Sequence, residues 1–293
     1  MEIILFENNE LLLASEEAEI ILRKNLALYP KDLSFVRRLI LVGDQDYQGA
    51  INLIDPKEGF TNSADFLGVG KTIAISDHES DVVVRAIVPA LFIKQEGTYF
   101  DFPVETKFFA YTLFHEIGHC EDNSIRKSFS TSKPTIQRYK VVDFFRHCVK
   151  VLVQNEMAAC FLSQKFVDEE VFPVMTKSFL EYKEQRLTEI SNSKNSRDLE
   201  KTFESISVSF WLISSDLSKL VGYSFERKFD SMWITGDKTL DEAAQVLRNA
   251  LRLYPNWNEE VFENLKDLFK KYALENGIKF VEGEDSIGDA IFW

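Results

Sequence analysis

Phe114-His115-Glu116-Ile117-Gly118-His119 is the stretch that decides how the rest of this chain is read. Two histidines four positions apart lie on one face of a helix, one turn above the other. That spacing lets both imidazoles reach a single metal ion. Glu116 stands about a third of a turn round from His115, where it can touch a metal-bound water without being a ligand itself. Zinc lowers the pKa of such a water to about 7, and a carboxylate beside it can take the proton and later hand it to a leaving amine. The chain has only four histidines, and two of them fall in this register. The plainer alternative is a buried helix whose histidines hydrogen-bond elsewhere.

The flanks read as a mostly buried helix. Asp101-Phe102-Pro103-Val104-Glu105 has the form of a helix start, with Pro103 at the first helical position and Glu105 in the first turn. Phe108, Phe109, Leu113, Phe114 and Ile117 then place apolar residues around much of the helix. Imidazoles and a carboxylate in such surroundings need partners, and a metal is one.

Three protein ligands plus a water is the usual set at a catalytic zinc. Glu121 and Asp122 stand too near His119 on the same helix to supply the third. His147 and Glu156 remain, and their spacing puts them on opposite faces of one helix. Glu156 is the better candidate. It lies in Val149-Lys150-Val151-Leu152-Val153-Gln154-Asn155-Glu156-Met157-Ala158-Ala159, an otherwise largely apolar run where a carboxylate is costly unless something positive meets it. Ala158 and Ala159 would allow close helix packing. His78 falls in an expected loop.

Thr112-Leu113-Phe114-His115-Glu116-Ile117-Gly118-His119 resembles the metal helix of the zincin metallopeptidases. Followed by Glu156, with Ala159 three residues on, it is similar to the gluzincin pattern, and most of all to the ImmA/IrrE-type peptidases. The resemblance covers roughly residues 70–165. It implies Zn2+ held by His115, His119 and Glu156, with Glu116 as general base. It also implies a protein substrate such as a repressor. One position departs from the pattern. Four residues past the ligand glutamate that family usually has Asp or Asn, which bears on how a histidine is oriented, and here the residue is Cys160. Tyr111, Tyr139 and His147 are candidates for a second donor to the oxyanion. In zincins an edge strand holds the substrate by strand addition, and Val82–Val88 or Lys71–Ile75 fits that role.

The whole chain sets the limits around this site. A length of 293 residues allows one large domain or two small ones. A formal charge of −13 disfavours broad binding to nucleic acid or an anionic membrane surface. The three cysteines, with no CxxC pair, fit free thiols in a reducing compartment. The start lacks a basic n-region and a long apolar run, and no segment approaches the roughly 20 apolar residues of a membrane span. The expectation is a soluble, cytoplasmic protein, or one exported by a route that leaves no such signal.

Along the chain, residues 1–6 read as a strand and Ser15 as the start of a helix; a second helix is expected over Leu33 to Leu41. Ala50–Ile54, Lys71–Ile75 and Asp81–Val88 read as strands, with Leu91–Ile93 as another. Gly68-Val69-Gly70-Lys71-Thr72 ends like a phosphate-binding loop, but Asp65 stands where that motif requires its first glycine, so nucleotide binding is rejected. Ser124 to Val142 has no acidic residue but several basic ones, and its centre, Ser128 to Pro134, reads as a loop. One long helix is expected over Thr135 to Val167. Further helices are expected over 169–190, 199–220, 240–253 and 259–274, with Ser191–Ser196 as an exposed linker. A last strand is read at Ile278–Val281, before an apolar tail that docks on the body.

The fold expected is α+β: a zincin-like small mixed sheet packed on the HExxH helix and the Glu156 helix. Its parts are an N-terminal helical region (1–46), a metallopeptidase core (47–170) and a C-terminal helical region (171–293), the flanks being a possible surface for a protein partner. The function expected is zinc-dependent peptide hydrolysis. The alternative is a catalytically silent binding or scaffold protein on the same fold, motivated by Cys160 and the large helical flanks.

Overall fold

The computed structural model describes residues 1–7, 10–13, 15–43, 45–54, 69–95, 97–127, 154–194, 199–228, 234–257, 260–281 and 289–292. They form an α+β protein that divides into two compact units, Met1–Thr135 with Lys165–Val171, and Ile136–Gln164 with Phe172–Trp293. Among the described residues, no helix is long and apolar enough to cross a membrane.

The first unit is built on a five-stranded mixed sheet. Strands β1 (Glu2–Glu7), β3 (Val36–Val42) and β5 (Ser80–Arg85) run parallel through its middle. Strands β2 (Glu10–Leu13) and β4 (Gly70–Ala74) pair antiparallel at the two edges, giving the order β2-β1-β3-β5-β4. Strand side chains alternate between faces. Ile3, Leu39, Leu41, Val82 and Val84 therefore enter one core, and Ile4, Phe6, Ile40, Val42 and Val83 enter the other.

Covering both faces explains three corrections. The expected helix over Leu33–Leu41 is in fact β3; a central strand buried on both sides reads as a continuous apolar run rather than an alternating one. The expected strand Ala50–Ile54 is the end of helix α2 (Tyr47–Ile54), whose Tyr47, Ala50 and Ile51 fall on one helical face against the second core. The expected strand Leu91–Ile93 belongs to helix α3 (Ile87–Lys94). There Pro89 sits in the first turn, where its missing N–H costs nothing.

Helix α1 (Glu16–Leu26) is capped by Ser15, whose hydroxyl accepts from the Ala18 amide. With α3 and the long helix α4 (Val104–Arg126) it covers the first face. Pro103 is the N-cap of α4, and Lys127 closes it in a left-handed conformation. Phe92, Tyr99, Phe102, Phe114 and Phe166 interlock beneath α4, and the Tyr99 hydroxyl donates to the Phe166 carbonyl at 2.6 Å.

Buried polar groups along α4 find partners. Lys107 pairs with Asp168 at 2.8 Å. Glu121 accepts from Tyr29 and pairs with Lys31. The Asn123 amide donates to the Ser76 carbonyl. At the foot of β5, Asp81 is fully buried and takes two hydrogen bonds each from Arg37 and Arg38.

The second unit is mainly helical. It contains α5 (Gln154–Leu162), α6 (Val171–Lys194), α7 (Leu199–Ser224), α8 (Lys238–Leu251) and α9 (Glu260–Glu275). Strands β6 (Ile278–Val281) and β7 (Asp289–Phe292) close it as an antiparallel pair, so the apolar tail docks by strand pairing. The helix expected to run to Val167 stops at Leu162 and yields to a 3-10 turn, Gln164–Phe166. The expected linker begins later than Ser191, because α6 continues to Lys194. Helices α5 and α7 meet closely at Gly222: a Cβ there would come within 2.6 Å of the Met157 carbonyl oxygen and 2.7 Å of Cys160 Cβ.

Candidate metal centre

His115 and His119 project from the same face of α4, as their spacing requires. His115 is buried and His119 half-buried. Their Nε2 atoms lie 3.2 Å apart, with the ring planes at 80°. Two nitrogens on a tetrahedral zinc, each at about 2.0–2.1 Å, stand about 3.3 Å from each other, so the pair is spaced for one ion. A direct bond between the rings has a similar length, one Nε2–H donating to the other Nε2.

Glu116 is buried beside them, and its carboxylate is held from the sheet. The Thr72 hydroxyl of β4 lies 2.8 Å from Glu116 Oε2 and 2.8 Å from the Glu116 carbonyl oxygen. Gly70, on the same face of β4, gives the carboxylate room: a Cβ there would come within 2.7 Å of Glu116 Cγ. Neither residue stands out in the sequence as a partner of Glu116. Thr72 reads only as part of an apolar strand, and the contact spans 44 positions.

Glu156 lies in the first turn of α5 and is half-buried. Its expected need for a positive partner is met within its own unit, where Lys219 Nζ of α7 stands 3.6 Å from Glu156 Oε2 and 3.4 Å from Asp216 Oδ1. Cys160, one turn on, is fully buried. Burial first, and then the Glu156 charge, push its thiol well above the ordinary cysteine range.

His115 and His119 belong to the first unit and Glu156 to the second, and the three side chains are a group that could hold a metal ion. No other such group occurs among the described residues. Two imidazoles and a carboxylate are a donor set found at catalytic zinc.

No protein-family model, curated protein or solved structure matches this chain.

The remaining sequence candidates separate clearly. His78 is exposed in the turn between β4 and β5. Tyr111 is half-buried on α4, one turn before His115. Tyr139, His147, the expected loop Ser128–Pro134 and the expected helix from Thr135 as far as residue 153 lie outside the described residues. Of the two strands expected to hold a substrate, Val82–Val88 is corrected: β5 is paired with β3 on one side and β4 on the other, and Ile87 and Val88 already belong to α3. Strand β4, read as Lys71–Ile75, is at the sheet edge.

Proposed function

We propose that this protein is a zinc-dependent peptidase of the zincin kind, with His115, His119 and Glu156 as ligands and Glu116 as general base. The observation that carries it is the convergence of the two Nε2 atoms at zinc-ligand spacing, with a clamped carboxylate on the neighbouring residue. When bound, zinc would acidify a water ligand and polarise the peptide carbonyl. The chain's own residues do the rest. Glu116 accepts the water's proton through Oε1, because Oε2 is engaged by Thr72. It then delivers that proton to the departing amine. The edge position of β4 suits an extended peptide added as a further strand beside Glu116.

The test is metal analysis of the purified full chain, together with cleavage of an unfolded protein such as casein with and without chelator. Stoichiometric zinc and chelator-sensitive cleavage support the reading. A chain that binds no transition metal at micromolar concentration sinks it.

The scaffold reading has one observation in its favour. Lys219 already gives Glu156 a positive partner, so this carboxylate is compensated without a metal. Zinc binding with no cleavage of any protein offered would favour it.

A further inference from the structure

We propose that Gly70 and Thr72 of strand β4 form the seat that aims Glu116, making Thr72 a positioning residue for the general base. This rests on the peptidase reading of the site. In the sequence the Gly70-Lys71-Thr72 triplet is the part that imitates a phosphate loop; in the fold it does something else.

Two independent features converge on the same carboxylate. The first is a bond. Thr72 carries one hydroxyl hydrogen and has two acceptors at 2.8 Å, Oε2 and the main-chain oxygen of Glu116. That oxygen, inside a helix, already faces the amide one turn on. The main-chain oxygen already has that partner and the carboxylate oxygen does not, so the hydrogen goes to Oε2. The buried Cys120 thiol approaches the Thr72 oxygen at 4.0 Å. It favours the same orientation by donating to Thr72.

The second feature is space. Residues 70 and 72 share a strand face, and at 70 any side chain would meet Glu116 Cγ at 2.7 Å and Oε1 at 3.1 Å. A bond on one oxygen and a gap beside the other fix which oxygen is free. Lys71 alternates to the opposite face.

The experiment compares Thr72→Val, Thr72→Ser and Gly70→Ala in the full chain. Valine keeps the shape and removes the hydroxyl, while serine keeps the hydroxyl. With zinc bound and casein as probe, Thr72→Val is expected to lower kcat by about 10- to 100-fold, the scale of a misaimed catalytic group. KM and zinc content stay unchanged. Thr72→Ser is expected to stay within about threefold of the parent, since a hydroxyl still reaches Oε2. Full kcat in Thr72→Val, or Thr72→Ser as impaired as the valine variant, overturns the proposal.

Crystal structures of the metal-free variants read the seat without activity. The Glu116 carboxylate should leave its place in Thr72→Val and Gly70→Ala and keep it in Thr72→Ser. An unmoved carboxylate in Thr72→Val refutes the seat even if casein is never cut. A moved carboxylate together with no chelator-sensitive cleavage by the parent protein upholds the seat and refutes the peptidase reading instead.

Discussion

The ring of Phe166 lies flat on that of Phe114, centroids 3.6 Å apart and planes within 1° of parallel. Phe114 directly precedes His115, so this stack backs the turn of α4 that carries His115 and Glu116. Phe166 arrives on the short segment Lys165–Val171, which returns to the first unit after α5. The Tyr99 bond to its carbonyl and the Lys107–Asp168 pair anchor that segment on either side.

Phe166→Ala should therefore be among the most damaging changes available outside the motif. Both rings are essentially inaccessible, and emptying such a site costs about 3–5 kcal/mol. Urea unfolding of the parent and the variant measures it. A loss under about 1 kcal/mol would mean the ring's space collapses without strain, and that the stack does not support α4.

Asp81 gives a pH-dependent prediction. Burial alone would raise its pKa, but the hydrogen bonds and charges of Arg37 and Arg38 outweigh burial and hold the carboxyl below its ordinary value. A pKa depressed by folding stabilises above the unfolded value of about 3.9, and that contribution is lost as pH falls through the folded pKa. Asp81→Asn should cost about 1–3 kcal/mol at pH 7, at the scale of buried donors losing an acceptor, since both arginines keep some contact with water. The gap between parent and variant should begin to narrow below about pH 4 and close only below the folded pKa. Unfolding curves at pH 7, 5 and 3.5 check it, and a gap that stays constant with pH would show that the Asp81 charge is not what matters.

Lys219 predicts a change in metal affinity. Its ammonium stands 3.6 Å from Glu156 Oε2 and competes with any cation for that carboxylate. Lys219→Met should tighten zinc binding by about tenfold, a modest gain because both groups are partly exposed. Competition with a chromophoric chelator reads it. Weaker binding would mean that the lysine holds Glu156 in its ligating pose.

The chemistry of this chain was legible where it is local. The histidine spacing and the helix start at Ser15 depend on neighbours a few residues away, and the structure places both as expected; Pro103, expected at the first helical position, is instead the N-cap, and α4 begins one residue later at Val104. What failed was the reading of β3, α2 and α3. Ile40 and Leu41 face opposite cores, so no alternation marks the strand. In α2 the Asn52-Leu53 pair is exposed and the apolar face is Tyr47, Ala50, Ile51 and the half-buried Ile54, a pattern of two turns that is too short to tell from a strand. The site itself was half legible. Glu116 announces itself, but Thr72 and Lys219 reach the site residues only through pairings 44 and 63 positions away, on which local pattern is silent.

Glu116→Gln separates metal from chemistry. The amide keeps the size of the carboxylate and still offers an oxygen to the Thr72 hydroxyl, so neither the fold nor the seat beside Gly70 is disturbed. The two imidazoles and Glu156 are unchanged, and zinc content should equal that of the parent. An amide cannot accept the water's proton, and losing a general base lowers rates by about 10²- to 10⁴-fold. Casein cleavage should thus fall to near background at full zinc occupancy. Normal cleavage by this variant would remove Glu116 from the mechanism. A parallel loss of zinc would instead mean that the residue serves the site by holding α4 against β4, through the contact with Thr72.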